Sequence, residues 1–227
     1  MKNVTDEQRE RLEALRERDP DLTVEWNDDQ GVAARIRGEL TRGEEPTGTV
    51  REFLEEFGLL FGPPDLAETL AEGRTRTDDL DWTHLEYRQL YDRERELELE
   101  GATLAAHVDA DGRLVEVQSS CWRDLDRVDP DPSVEREALA ERLDERIRGA
   151  PGYGELREQR QQRSEWPFPV MQEPRLLVYP WEGGLRLAWR TITYERSGLG
   201  PEGPSTPEDP SAEGQRELLQ GRAYVDA

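Results

Sequence analysis

Thr83-His84-Leu85-Glu86-Tyr87-Arg88-Gln89-Leu90-Tyr91 is the stretch on which the reading of the fold turns. Leu85, Tyr87, Gln89 and Tyr91 alternate with other residues and so share one face of an extended chain. Leu97 and Leu99 continue the period of two in a second run, and Leu104, Ala106 and Val108 in a third. Asp109-Ala110-Asp111-Gly112 reads as a turn into Leu114, Val115 and Val117. No long helix fits between these runs, so three or four successive antiparallel strands are expected from Thr83 to Ser119.

Upstream, the pattern changes to helix and strand in turn. Thr5 and Gln8 have capping-box spacing ahead of Leu12 and Leu15, which predicts a short surface helix ending at Asp19-Pro20. Leu22, Val24 and Trp26, then Val32, Ala34 and Ile36, read as two strands. In the next helix Val50, Phe53, Leu54, Phe57, Leu60 and Phe61 fall on one face, with Thr49 and Glu52 as its cap and Gly62-Pro63-Pro64 as its stop. Downstream, Asp129-Pro130-Asp131-Pro132 neither pairs centrally nor continues a helix, which marks a domain boundary.

A third helix is expected from Ser133, carried by Val134, Ala138, Leu139, Leu143 and Ile147, followed by a polar stretch over 150–173. Leu176–Trp181 and Leu185–Tyr194 flank Glu182-Gly183-Gly184 as a hairpin. A Gly-, Pro-, Ser- and Glu-rich segment over 197–215 reads as a solvated insertion, and Arg222–Ala227 as a last strand. The expected fold is therefore α+β with two small domains, each an antiparallel sheet packed against helix, over residues 1–128 and 133–227.

Composition bounds the partners. The 227 residues carry 52 acidic and 30 basic side chains, a formal charge of −22, and only Lys2 is a lysine. Such a polyanion is repelled by phosphates, which argues against a nucleic-acid or anionic-membrane partner. No run of about 20 apolar residues is present, so no membrane insertion is expected. GC-rich coding and a high-salt, halophilic milieu both account for an acidic chain with arginine in place of lysine. Cys121 is the one cysteine, which excludes an internal disulfide, and Met1–Glu7 lacks the apolar core of a secretory signal.

The motifs carry little chemistry. A zinc hydrolase needs converging ligands, commonly two His one helical turn apart with a Glu as base. His84 and His107 are the only histidines and fall on separate predicted strands, where each reads as a strand-face residue hydrogen-bonded to a neighbour. No Gly-x-Ser-x-Gly elbow is present, and Cys121 beside Trp122 reads as a small core or edge residue. Gly198-Leu199-Gly200-Pro201-Glu202-Gly203 matches a dinucleotide-binding string, but Pro201, Pro204, Pro207 and Pro210 forbid the helix that must follow. Asp109 and Asp111 open like a calcium loop, yet the later ligands are missing. The expectation is a non-enzyme with no catalytic residue, metal or cofactor.

In order, the pieces resemble a known family. Val50–Gly62 is similar to the segment that opens the fungalysin/thermolysin propeptide (FTP) region. Thr83–Tyr91, with His84, Gln89 and Tyr91, resembles its Thr-His strand, and Ala105–Val115, with His107, Asp109 and Gly112, its His-Val-Asp hairpin. The helix from Ser133 and the hairpin through Leu185–Trp189 look like the adjoining PepSY domain, and Val225, Asp226 and Ala227 like its closing Val-Asp-Ala. The resemblance spans roughly residues 11 to 227. The charged link Asp92–Leu97 and the 197–215 insertion depart from the family pattern.

The resemblance implies a non-catalytic pro-region that assists folding of a secreted thermolysin-type zinc metallopeptidase and inhibits its active site. The partner would be the peptidase catalytic domain, in cis beyond Ala227 or in trans, and the setting secreted or cell-envelope. The alternative is a free-standing binding module of the same fold. The marked residues are read as setting strand packing and hydrogen bonding rather than touching a peptidase.

Overall fold

The computed structural model describes residues 4–125, 128–136, 138–139, 174–181, 184–196 and 218–226. The protein is α+β, and the chain divides into two compact units. One comprises Met1–Arg127 with Val178–Leu185, the other Val128–Leu177 with Arg186–Ala227.

The first unit begins with α1 (Asp6–Arg18), closed at its start by the Thr5/Gln8 capping box that the sequence predicts. Gln8 is also fully buried. Its Oε1 accepts from the Thr5 N–H at 2.9 Å, and its Nε2 donates to the carbonyls of Gly31 and Leu59, each at 3.0 Å. One amide thus satisfies a free helix-end donor and ties the helix to two distant turns, leaving none of its own polar atoms unpaired.

β1 (Thr23–Asn27) pairs antiparallel with β2 (Val32–Arg42). The register places Glu25 opposite Arg35 but Trp26 opposite Ala33, so Ala34 is an extra residue in β2. That bulge is why Val32, Ala33, Ile36 and Leu40 are buried, in place of the strict Val32/Ala34/Ile36 alternation expected from sequence.

α2 (Pro46–Phe57) starts one turn earlier than its apolar stripe predicts. The Glu45 carboxylate accepts from the Thr47 and Gly48 N–H groups, and Pro46 fits a position where no N–H is needed. Thr49, expected as the cap, instead lies buried in the first turn, its hydroxyl donating to the Glu45 carbonyl at 2.9 Å. Phe53, Phe57 and Phe61 pack together, with the Phe53 ring 5.3 Å from Phe57 and 6.2 Å from Phe61. Burying each such side chain stabilises by roughly 1.5–3 kcal/mol.

A short helix, α3 (Leu66–Thr69), leads into β3 (Leu70–Thr77), a strand not anticipated from sequence because only Leu70 in it is buried. Then follow β4 (Thr83–Asp92), β5 (Leu97–Val108) and β6 (Arg113–Ser119). Pairing runs β1-β2-β6-β5-β4-β3, all antiparallel. The two runs expected at Leu97–Leu99 and Leu104–Val108 are one strand. Gly101, at φ 76°, takes up the odd residue that separates their alternation. Leu85, Ala106, Val117 and Ile36 form one cross-strand row of the core with the helices, and Cys121 joins it.

In the second unit, β8 (Gly184–Arg196) pairs with β9 (Leu218–Asp226) from Ala188 opposite Asp226 to Arg196 opposite Leu218. Arg136, Ala138 and Leu139 are helical, where the third helix is expected. Val134 and Leu139 are buried, and the Trp189 indole donates to the Val134 carbonyl at 2.8 Å. β7 (Arg175–Trp181), whose residues from Val178 on belong to the first unit, precedes Glu182-Gly183-Gly184 in the sequence. The remainder of the third helix, the 150–173 stretch, the 197–215 insertion and Ala227 lie outside the described residues.

Candidate functional site

The sheet has a second face, and on it the two histidines meet. Because Leu85 and Ala106 pair within the core, the preceding and following positions, His84 and His107, pair on the opposite face. The row runs from Arg76 on β3 through His84, His107 and Glu116 to Arg37 on β2. The rings meet edge to face with Nδ1 atoms 2.7 Å apart, and His84 Nε2 lies 2.9 Å from Asp78 Oδ2.

Chemistry fixes the protons. The ionised Asp78 carboxylate only accepts, so His84 carries its hydrogen on Nε2; in its neutral form its Nδ1 is then bare and accepts from His107 Nδ1–H. The result is a directed chain, His107 to His84 to Asp78. The other Asp78 oxygen accepts from the N–H groups of Leu80 and Trp82, at 2.9 and 3.1 Å, and so organises the β3–β4 turn. The hydrogen bond from His84, then that from Leu80, holds the Asp78 carboxyl below its ordinary range. Burial, then the neighbouring His84, pushes the His107 imidazole below its ordinary value.

A carboxylate–imidazole pair is the core of a general base, but catalysis requires the outer ring nitrogen to face a reacting proton. Here that nitrogen faces His107. Cys121 is no nucleophile partner either. Its buried thiol is raised to about 11, although Ser119 Oγ offsets part of that burial effect. Among the described residues no three His, Cys, Asp or Glu side chains are grouped to hold a metal ion.

The other marked residues have separate tasks. Gln89 is fully buried and clamps one backbone unit: its Nε2 donates to the Trp122 carbonyl at 2.9 Å and its Oε1 accepts from the Trp122 N–H at 2.8 Å. Tyr91 is half-buried near the end of β4. Asp109 accepts from the N–H groups of Asp111 and Arg113 and from the Arg113 guanidinium at 2.7 Å. Burial works to raise its carboxyl, but those Arg113 donors outweigh it and hold the pKa low. Gly112 sits at φ 77°, and a Cβ there would lie 2.3 Å from the Gly43 carbonyl oxygen, so no other residue fits.

Glu116 anchors the far end of the histidine row. Burial works to raise its carboxyl, while hydrogen bonds from Arg37 and Gln118 and the charges of Arg37 and Arg35 hold it low. In the second unit Val225 pairs with Trp189 and Asp226 with Ala188. Sequence reasoning names both histidines but misses their partnership and misses Asp78, since only the β4–β5 register and the β3–β4 turn bring them together. The signal was available in part: Thr83 and Val108 flank the two histidines in opposite order, as an antiparallel pair requires.

Comparison with known proteins adds a distant likeness. No family model matches the chain, and no curated protein matches it. Among solved structures it is similar to the Bacillus megaterium YpeB C-terminal domain, at 9% identity over 87% of this chain and 90% of that chain, with a TM-score of 0.36. Among the described residues no helix is long and apolar enough to cross a membrane.

Proposed function

We propose that this protein is a non-catalytic pro-region of the thermolysin/fungalysin type, assisting the folding of a secreted zinc metallopeptidase and inhibiting it. The observation that carries the reading is the convergence of the motif residues. Thr83, His84, His107 and Val108 pair directly across β4 and β5, and Asp109 and Gly112 close the adjoining hairpin. This part of the resemblance therefore falls on one contiguous structural element, β4 and β5 with the turn that follows them.

A physical route to inhibition is available in β3, whose residues from Glu72 to Thr77 are exposed, because an extended strand adds to a cleft through its main chain. The reading makes the metallopeptidase catalytic domain the partner and gives the chain no catalytic role. It is tested by refolding a denatured thermolysin-like peptidase with and without the purified chain and then removing the chain proteolytically. A raised yield of active enzyme is expected. An unchanged yield over the whole concentration range would overturn the folding role.

A further inference from the structure

We propose that the groove between α2, α3 and the start of β3 is a docking site for an extended protein segment bearing an arginine or lysine side chain. This site shares the β3 edge with the pro-region reading, but it does not require its partner to be a peptidase.

The groove has a volume of about 800 Å³ and an apolar floor made by Leu54, Leu70 and Tyr87. Carboxylates of Glu55, Asp65, Glu68 and Glu72 stand along its walls, with Arg51 and Arg93 as its cations. Both cations are already engaged. Arg51 pairs with Glu55 at 3.0 Å, and Arg93 donates to the carbonyls of Glu68 and Leu70 at 2.6 and 3.2 Å. Asp65 and Glu68 form no ion pair among the described residues. The groove thus keeps surplus negative charge over a floor that favours the methylene stem of a long cationic side chain.

Acidity is common on this chain, so charge alone does not single out a site. Tyr87 does. Its side chain lines the groove at 7% exposure, yet its hydroxyl makes no hydrogen bond among the described residues. That hydroxyl opens to solvent within the groove, where a donor arriving from outside reaches it. A guanidinium or ammonium N–H entering from solvent donates to that oxygen while its charge meets Glu72, which lies opposite Tyr87 in the strand register.

Main-chain chemistry points to the same occupant. β3 ends the sheet order of the first unit, and among the described residues it pairs only with β4. Its first residues, Leu70 to Glu72, also line the groove. A strand added along this edge carries alternate side chains over the groove, so one segment satisfies the open edge, the carboxylates and the Tyr87 hydroxyl together.

The test is fluorescence anisotropy with labelled eight-residue Val/Thr-rich peptides carrying two arginines, two glutamines or two glutamates. The arginine peptide is expected to bind saturably, and the glutamate peptide not at all. Glu72→Arg is expected to weaken arginine-peptide binding by about tenfold, and Tyr87→Phe, which keeps the ring, by severalfold, while Glu10→Arg on α1 changes it less than about twofold. N-methylation of alternate peptide amides is expected to abolish binding. Equal weakening by Glu10→Arg and Glu72→Arg would overturn the proposal in favour of general attraction to a polyanion. Undiminished binding of the N-methylated peptide, or of the arginine peptide to Tyr87→Phe, would overturn it too. Circular dichroism and melting of each variant confirm that the loss is not unfolding.

Discussion

The two faces of β4 and β5 are built by different physics. The inner face presents Leu85, Tyr87, Leu104, Ala106 and Val108 to the helices and is held by non-directional burial, so a neighbouring apolar side chain of similar volume would serve nearly as well. The outer face, one residue out of phase, presents His84, His107 and Glu116, held by hydrogen bonds that work only at one register. A slip of one residue would exchange the two sets. The inner face therefore sets how stable the sheet is, and the outer face records which register it adopts.

The sharpest way to test that division is to damage the inner face. Phe57→Ala empties a fully buried position beside Phe53 and is expected to destabilise by about 3–5 kcal/mol in denaturant melts. A loss under about 1 kcal/mol would mean that the aromatic cluster does not organise this core. Gln89→Leu comes next. It keeps the volume but strands the Trp122 N–H and carbonyl, at a cost of about 2–3 kcal/mol, and Gln89→Glu should recover only the half in which Trp122 donates.

On the outer face the expected effects are smaller and depend on pH. The folded-state pKa of His107 is lowered, so the native protein binds fewer protons than the unfolded chain just below the unfolded value near 6.5. Stability is then fully present above that value and declines as the pH falls through it. Asp78 has the same sign at lower pH. Its lowered carboxyl contributes above the ordinary carboxylate range and loses that contribution as acid protonates it. His107→Gln is expected to cost about 1 kcal/mol at neutral pH and to flatten the melting temperature between roughly pH 7 and 5. A slope equal to that of the native chain would show that His107 is not the titrating element. The smallest effect belongs to the exposed Asp6–Arg9 ion pair, whose removal by Asp6→Asn should change stability by less than about 1 kcal/mol.

The same division explains what the sequence reveals. Alternation at Leu85–Tyr91 and Leu104–Val108, the Thr5/Gln8 spacing and the Phe53/Phe57/Phe61 stripe are periodic signals of burial, and each corresponds to an element of the fold. β3 has no such signal, because six of its eight residues are exposed and it is held by backbone pairing with β4. The Ala34 bulge and the Gly101 parity change are likewise invisible to strict periodicity. His84 and His107 stand out as residues, but their contact spans 23 positions and depends on register, and Asp78 enters through a turn. Gln8 and Gln89 look like surface residues by type and are buried because every polar atom of their amides can be paired.

Both faces bear on the proposed function, in which the marked residues would build the scaffold of an inhibitory pro-region. Its most direct test is to titrate the purified chain into a mature thermolysin-like peptidase and follow hydrolysis of a small peptide substrate at fixed ionic strength. A saturable, concentration-dependent fall in rate is expected, and His84→Ala should weaken it no more than its loss of melting temperature explains. Hydrolysis unaffected at every concentration, or inhibition abolished by His84→Ala with melting unchanged, would contradict it.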